Sequence, residues 1–451
     1  VRTRGDLHVY QGPAIEFLRA AKSRFLVAAM GSGKTTIALH ALIDLIAAGE
    51  IRLPVLVCAP LLVASTVWAS EARAWQDTAG LRIVQLLGST KQRLAILDRL
   101  GEIDVLVVNY DIVDWLLREV VARDLHFAVI IADEASALKS PEARRTKAML
   151  ALADRAERHW AMSGTPRGAQ LLDLWGPSQF CTAGVAFPPF GAWRNAGFMP
   201  IDPYGRHWTP RAGVEALVVE RMALFTKVIG REALALRPPV TEILHHVALP
   251  REAEDLYAEI DGGTTEDLHA LVAKGVEPPH EIAVVGKLQQ VLSGALYEPD
   301  GSWHWLHDAR LDVLEALHAA HDRPSLVYVA FRHEIERIQL RLPQARELTP
   351  DLVEPWNRGE VELLLAHPQA AAHGLNLQRG SNVVIFFSLG WSAERYEQAV
   401  ARVARQGQRD PVTVHVMITE GAIDTVAWQV IRRRIREQAR TVAAIDHMTA
   451  D

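Results

Sequence analysis

The chain has 451 residues, 49% of them hydrophobic and 23% charged, with 48 basic against 54 acidic side chains and a net charge of −6. That length allows roughly two to four domains, the composition excludes a disordered or fibrous chain, and the acidic balance argues against a blanket nucleic-acid binder. Two cysteines, Cys58 and Cys181, exclude a disulfide framework and a CxxC metal site, and no apolar run approaches the roughly 18–20 residues of a membrane span, so a soluble cytoplasmic protein is expected.

Apolar, β-branched runs recur along the first half at 25–29, 54–59, 81–87, 104–109, 128–133 and 159–163, each followed by a helix-period segment. Continuous apolar strands alternating with helices predict a parallel sheet covered on both faces. Cys58, inside PVLVCAP, reads as a buried structural thiol. The stretch 176–239 is rich in Gly, Pro and aromatic residues and reads as an irregular excursion. ALRPPV at 235–240 then reads as a linker, because consecutive prolines continue neither a helix nor a central strand. Strand-like runs return at 241–249, 325–331, 361–367, 382–388 and 412–419, with 250–320 mostly helical in pattern. The arginines of IRRRIREQAR read as a solvated helix face, with a DNA-facing role as the alternative. His245, His246 and the WHWLH stretch at 303–307 lack the partners of a metal set and read as structural histidines.

The first strand runs into Ala28-Ala29-Met30-Gly31-Ser32-Gly33-Lys34-Thr35 and then a helix-forming segment. Glycines let successive backbone N–H groups face phosphate oxygens, and the new helix adds the partial positive charge of its N-terminus. Lys34 is expected to reach the β/γ-phosphates and Thr35 to ligate Mg²⁺; Ala28 stands where the strict G-x-x-x-x-G-K-[ST] pattern has its first glycine. The strand at 128–133 ends in Asp133-Glu134, two carboxylates at the sheet edge where open α/β sheets bind ligands. Asp133 is expected to hold Mg²⁺ and Glu134 to polarise the attacking water.

Ser163-Gly164-Thr165-Pro166 ends the sixth run, and Gly374-Leu375-Asn376-Leu377 precedes a later strand. Gln398, Arg402 and Arg405 stand at i, i+4 and i+7, which on a helix is one face. Two arginines on one stripe suit a γ-phosphate whose transition-state charge they stabilise.

This ordered set resembles the superfamily 2 helicase-like ATPases, and within them the Swi/Snf-type double-stranded DNA translocases, especially compact phage or bacterial members. Val9-Tyr10-Gln11 is similar to the adenine-sensing Q motif, 28–35 to motif I, Ala59-Pro60 through Trp68 and Glu71 to motif Ia, and Asp133-Glu134-Ala135-Ser136 to motif II. Ser163 to Pro166 is similar to motif III, Gly374 to Leu377 to motif V, and Gln398-x₃-Arg402-x₂-Arg405-x-Gly407-Gln408 to motif VI. The resemblance implies an α/β chain of two tandem RecA-like lobes, 1–235 and 236–451, each a mostly parallel sheet with helices on both faces. It implies a DNA-dependent ATPase with ATP and Mg²⁺ in the cleft between the lobes, tracking along duplex DNA as a monomer in a bacterial or phage-infected cell. The nucleotide site would use Gln11, Met30, Gly31, Ser32, Gly33, Lys34, Thr35, Thr36, Gly374 and Asn376; Asp133, Glu134, Gln398, Arg402 and Arg405 would act in catalysis. Ser163 and Thr165 would couple the motifs, and Thr66, Asn109, Tyr110 and Trp391 would face DNA. Trp68 and Trp391 also have a plain reading as core residues. Two departures stand out: Ser136 where the family usually has His, and Ala401 where Gly is common. The alternatives are a strand-separating helicase and a nucleotide-switched DNA-binding or recruitment module with weak turnover.

Overall fold

The six apolar runs of the first half, together with a seventh strand, form one sheet in the computed structural model, which describes residues 1–201, 208–230, 233–234, 238–273, 283–368 and 376–450. They are β1 (Ser23–Ala28), β2 (Val55–Ala59), β3 (Ile83–Gln85), β4 (Val105–Asn109), β5 (Phe127–Asp133), β6 (Ala156–Ser163) and, after the hairpin β7 (Phe198–Pro200) and β8 (Trp208–Pro210), β9 (Thr226–Ile229). The order is β3-β4-β2-β5-β6-β1-β9, and every pairing within it is parallel. Alternate residues feed two cores. Val27, Cys58, Val108 and Ile130 enter one; Leu26, Val57, Val107 and Ile131 enter the other. Period-two alternation on a sheet buried on both sides yields this result. Cys58 is buried as expected, and burial pushes its thiol pKa far up.

The chain divides into two units, Val1–Ala235 with Glu437–Asp451, and Leu236–Arg436. The second unit holds β10 (Val240–His246), β11 (Ala295–Tyr297), β12 (Trp303–Trp305), β13 (Ser325–Tyr328), β14 (Ala345–Glu347), β15 (Leu363–Ala366), β16 (Val383–Phe386) and β17 (Val412–Ile418). Its main sheet runs β10-β17-β16-β13-β15-β14, again with parallel pairings throughout. Here too the strands feed two faces, Leu326, Leu364 and Val384 on one, Val327, Leu365 and Ile385 on the other.

Three readings of the sequence are corrected. Among its described residues the stretch 176–239 is not irregular: it carries the helices Trp175–Cys181, Phe190–Gly197 and Val214–Ala223, and β9 within it extends the sheet beside β1. These elements are short and interrupted by Gly and Pro, so no period accumulates. Among its described residues the stretch 250–320 is mostly helical, as expected, but it also carries the antiparallel hairpin of β11 and β12, which the period reading missed. The third correction concerns motif VI. Its helix, Ala393–Val400, stops before both arginines. Residues 399, 400, 401, 403 and 404 are all buried, which no single helical stripe accommodates, and bonds such as Arg402 N–H to Ala399 O tighten the chain into turns. Parts of the 235–240 linker, and Gly374 and Leu375 of motif V, lie outside the described residues.

Among the described residues no helix is long and apolar enough to cross a membrane. Of the histidines, His245 and His321 both meet ring nitrogens of His415, at 2.8 and 3.0 Å, while His307 bonds to Val291 O, and no metal-binding cluster occurs among the described residues.

Candidate nucleotide site

The order β5-β6-β1 brings three segments far apart in sequence to one carboxyl edge of the first sheet. β1 ends in the glycine loop, β5 in the acidic pair and β6 in Ser163. This is the edge at which open parallel sheets bind their ligands.

The loop turns because two glycines take left-handed backbone conformations, Gly31 at φ 83° and Gly33 at φ 76°. A Cβ at Gly33 would also stand 2.5 Å from Gln11 Nε2 and displace the end of that side chain. Gln11 donates to Ser32 O at 3.1 Å and accepts the His8 N–H at 2.9 Å, and the Tyr10 hydroxyl donates to Ser32 O at 3.2 Å. The amide of Gln11 therefore props the loop. Lys34 opens the helix Lys34–Ala47 and folds back to donate to Ala28 O at 3.2 Å. Gly164 covers this arrangement, since a Cβ would lie 3.1 Å from Met30 Cγ and 3.4 Å from Lys34 Nζ.

Asp133 is buried beside the loop. The Trp68 indole N–H donates to its Oδ2 at 2.9 Å, and the Tyr110 hydroxyl donates to its backbone carbonyl at 2.9 Å. Burial pushes the Asp133 carboxyl up to about 6; the Lys34 ammonium opposes that rise and the Glu134 carboxylate adds to it. Glu134 follows at φ 57°, a left-handed conformation uncommon for a residue with a Cβ. Its Oε1 accepts the Ser163 hydroxyl at 2.7 Å and the Ser136 hydroxyl at 3.4 Å, and Ser163 Oγ accepts the Thr165 N–H at 3.1 Å. Ser136 thus turns its small hydroxyl toward the glutamate. The buried hydroxyls of Ser32 and Thr165 have no protein partner among the described residues. A phosphate-binding loop with an unsatisfied hydroxyl, a lysine, and the oxygen donors of Thr35 and Asp133 together fit a nucleotide with a hard divalent cation.

In the second unit Arg405 bonds to the side-chain oxygen of Asn376, joining motifs V and VI, and Gln398 donates to Glu394 at 3.3 Å. Gly407, at φ 95°, closes the turn after Arg405.

The four residues expected to face DNA fare differently. Thr66 is exposed on the π-helical turn Val63–Val67. Asn109 is buried and bonds to Asp111 at 3.2 Å; Tyr110 is buried under Asp133, and Trp391 belongs to the second unit's core. Asn109, Tyr110 and Trp391 are therefore corrected from contact surface to support, because Asn109 is buried and held by Asp111 and the two rings complete the packing of strand ends.

Two residues carry more of the site than the sequence suggested. Trp68 is a core residue, as one reading had it, yet its polar edge ends on Asp133. Glu71 accepts the Thr36 hydroxyl at 2.6 Å, the Trp75 N–H at 2.8 Å and Arg2 at 2.8 Å, all on Oε1. The sequence signal for both was their place at the end of the stretch similar to motif Ia, which said nothing of the contacts they make.

The SNF2-related domain family matches residues 10–274, and the helicase conserved C-terminal domain matches 310–407. Protein p41 of Acyrthosiphon pisum secondary endosymbiont phage 1 is 32% identical over 93% of this chain and 94% of its own length. The DNA annealing helicase and endonuclease ZRANB3 of Bos taurus is 23% identical over 98% of this chain, and an ATP-dependent helicase of Mycoplasma pneumoniae is 23% identical over 94%. The chain spans 41% of the length of each of these two. The solved SWI2/SNF2 ATPase core of Sulfolobus solfataricus with dsDNA aligns over 99% of this chain and 95% of that one, with 20% identity and a TM-score of 0.47. With two parallel-sheet lobes and a family match covering 10–274, the chain belongs to the SNF2-related helicase family, built as two tandem RecA-like lobes.

Proposed function

We propose that the chain is an ATP-driven motor that hydrolyses ATP and tracks along duplex DNA. The observation that carries this reading is the meeting of Lys34, Asp133, Glu134 and Ser163 at one sheet edge, around a loop with left-handed glycines. Loop N–H groups and Lys34 hold the phosphates. Thr35 and Asp133 would hold Mg²⁺, which when bound polarises the phosphoryl oxygens. Glu134 orients and deprotonates the attacking water, and its bond to Ser163 ties that carboxylate to motif III. Gln398, Arg402 and Arg405 act on the transferring phosphoryl group in the ATP-bound state, and the Asn376 partner fixes the Arg405 fork. Thr66, exposed on its turn, is the residue retained as a DNA contact. DNA as the track is supported by the family, with relatives named as DNA helicases, and its duplex form is part of the proposal.

The test is ATP turnover with single-stranded, duplex and branched DNA, over a range of salt, for wild type, Lys34→Ala and Arg402→Ala. Duplex DNA should stimulate turnover, with stimulation falling steeply as salt rises. Lys34→Ala should abolish it, and Arg402→Ala should lower it by roughly 10³ with nucleotide binding retained. Turnover indifferent to DNA, or near-normal in Arg402→Ala, would overturn the reading.

A further inference from the structure

The seven-residue helix Trp68–Ala74 contributes nothing to the chemistry above, yet it touches both halves of the nucleotide site. Trp68 and Glu71 are three residues apart and so share a helical face. Trp68, fully buried, ends on the carboxylate of Asp133. Glu71 ends on the hydroxyl of Thr36, the residue after the phosphate-loop Thr35, and is held by Trp75 and Arg2. Arg2 is itself fixed there, with its N–H on Ala74 O at 2.8 Å, its carbonyl on the Gln76 N–H at 2.8 Å, and its guanidinium 4.3 Å from the Trp75 ring centroid. His40 extends the same cluster, bonded to Thr36 O at 2.9 Å and edge-on to Trp75 at 4.9 Å.

We propose that Trp68 and Glu71 are positioning residues that form one bracket, Trp68 setting the orientation of the Asp133 carboxylate and Glu71 setting the first turn of the phosphate-loop helix. The assignment rests on the nucleotide-site reading and deepens it. If filling volume were the only task at position 68, a phenyl or aliphatic side chain would serve as well as an indole. The indole differs by one N–H, and that N–H is spent on the one carboxylate expected to meet the cation. A carboxylate with a free rotor would lose orientation entropy each time it engaged a metal; a fixed one would not. At position 71 an acceptor is the shared requirement, since three donors converge on a single oxygen, and the Arg2 ion pair is the one contact that also uses its charge.

The bracket is tested by nucleotide affinity, not by turnover. A fluorescent ADP analogue is titrated into the full chain by polarisation, once in EDTA and once in Mg²⁺. Trp68→Phe should keep the affinity measured in EDTA and lose about tenfold of the gain that Mg²⁺ gives wild type. In an Asp133→Asn background the same change should cost nothing further. Glu71→Ala should weaken binding equally in EDTA and Mg²⁺, and Glu71→Gln should restore it, because its amide oxygen still accepts. The Glu71 pair sits at a half-buried position, so it tests the bracket even if Trp68→Phe does not fold. An unchanged Mg²⁺ gain in Trp68→Phe, or failure of Glu71→Gln to recover, would overturn the bracket. Wild type without nucleotide binding would instead overturn the site reading.

Discussion

Asp133 shows what the candidate site costs the fold. A carboxylate buried at the end of β5 loses its hydration, and one indole N–H and the nearby ammonium of Lys34 only partly replace it. Its folded pKa, pushed up to about 6 from 3.8, means that the folded chain holds a proton the unfolded chain releases. The stability from this site is therefore complete below pH 3.8 and lost as pH rises through 6. Asp133→Asn, whose side-chain oxygen still accepts from Trp68, should stabilise the first unit at pH 8 in a chelating buffer by up to about 3 kcal/mol. The gain should vanish near pH 3. Denaturant melts of both proteins across pH would check it, and equal stabilities at pH 8 would refute it. Glu134 is strained in a different currency, backbone conformation, and is the second residue at which stability yields to chemistry.

At the scale of elements, buried charge recurs in the second unit in paired form. Arg310 bonds to Asp424 and to Phe387 O at 2.8 Å and Ser388 Oγ at 3.1 Å, with side chains only 1% and 2% exposed for the ion pair. The pair pins the helix Ala309–Ala319 to the end of β16 and to the start of the C-terminal helix Ile423–Ala450. Burial raises the Asp424 pKa and Arg310 opposes that rise. Arg310→Met should cost about 3–5 kcal/mol because it leaves a lone buried carboxylate. Adding Asp424→Asn should recover much of the loss, and the single variant's deficit should shrink at acid pH as Asp424 takes up a proton. Urea melts of the single and double variants decide the point; a double variant no better than the single would refute it. None of this pairing was legible in the sequence, because Arg310 and Asp424 are separated by a whole sheet's worth of chain. What was legible shares a different property. The glycine loop, Asp133-Glu134 and the strand runs are defined by residues close together, whose chemistry or period admits few other uses. Trp68 on Asp133 and Arg2 on Glu71 join distant residues, so only the fold reveals them. β9, with four residues, and β14, with three, are too short to show alternation. The misreading of motif VI has another origin. A spacing of four and then three fits a helical stripe as well as a run of turns, and the burial of Val403 and Ala404 decides for turns.

Across the whole molecule, sequence order and unit membership part company at the C-terminus. The helix Ile423–Ala450 begins in the second unit, where Ile423, Val426, Val430 and Ile431 join its core, and Arg432 pairs with Glu242 at 2.5 Å. Residues 437–451 instead belong to the first unit. Ile445 is fully buried in the core that also takes Phe25 and Val27, with Val442 and Ala444 packed against it. Arg167, just after motif III, bonds to Glu437 at 3.0 Å and to Thr441 at 3.0 Å. Of the arginines of this helix, Arg432, Arg433 and Arg434 are engaged in the fold, with Arg434 donating to Trp391 O at 2.8 Å, whereas Arg436 and Arg440 are exposed as the solvated-face reading expected. Ending the chain at Arg436 should therefore injure the unit that is remote in sequence. Loss of Ile445 alone removes a buried aliphatic side chain worth about 2–5 kcal/mol, and Arg167, 11% exposed, loses the nearer of its two carboxylates and keeps only Glu215 at 3.7 Å. Hydrogen exchange read by mass spectrometry should show faster exchange in β1, β5 and β6, with β13, β15 and β16 protected as before. If the truncation loosened the second sheet and spared the first, the C-terminal residues would be a part of the second unit's stability, and their assignment to the first would be wrong.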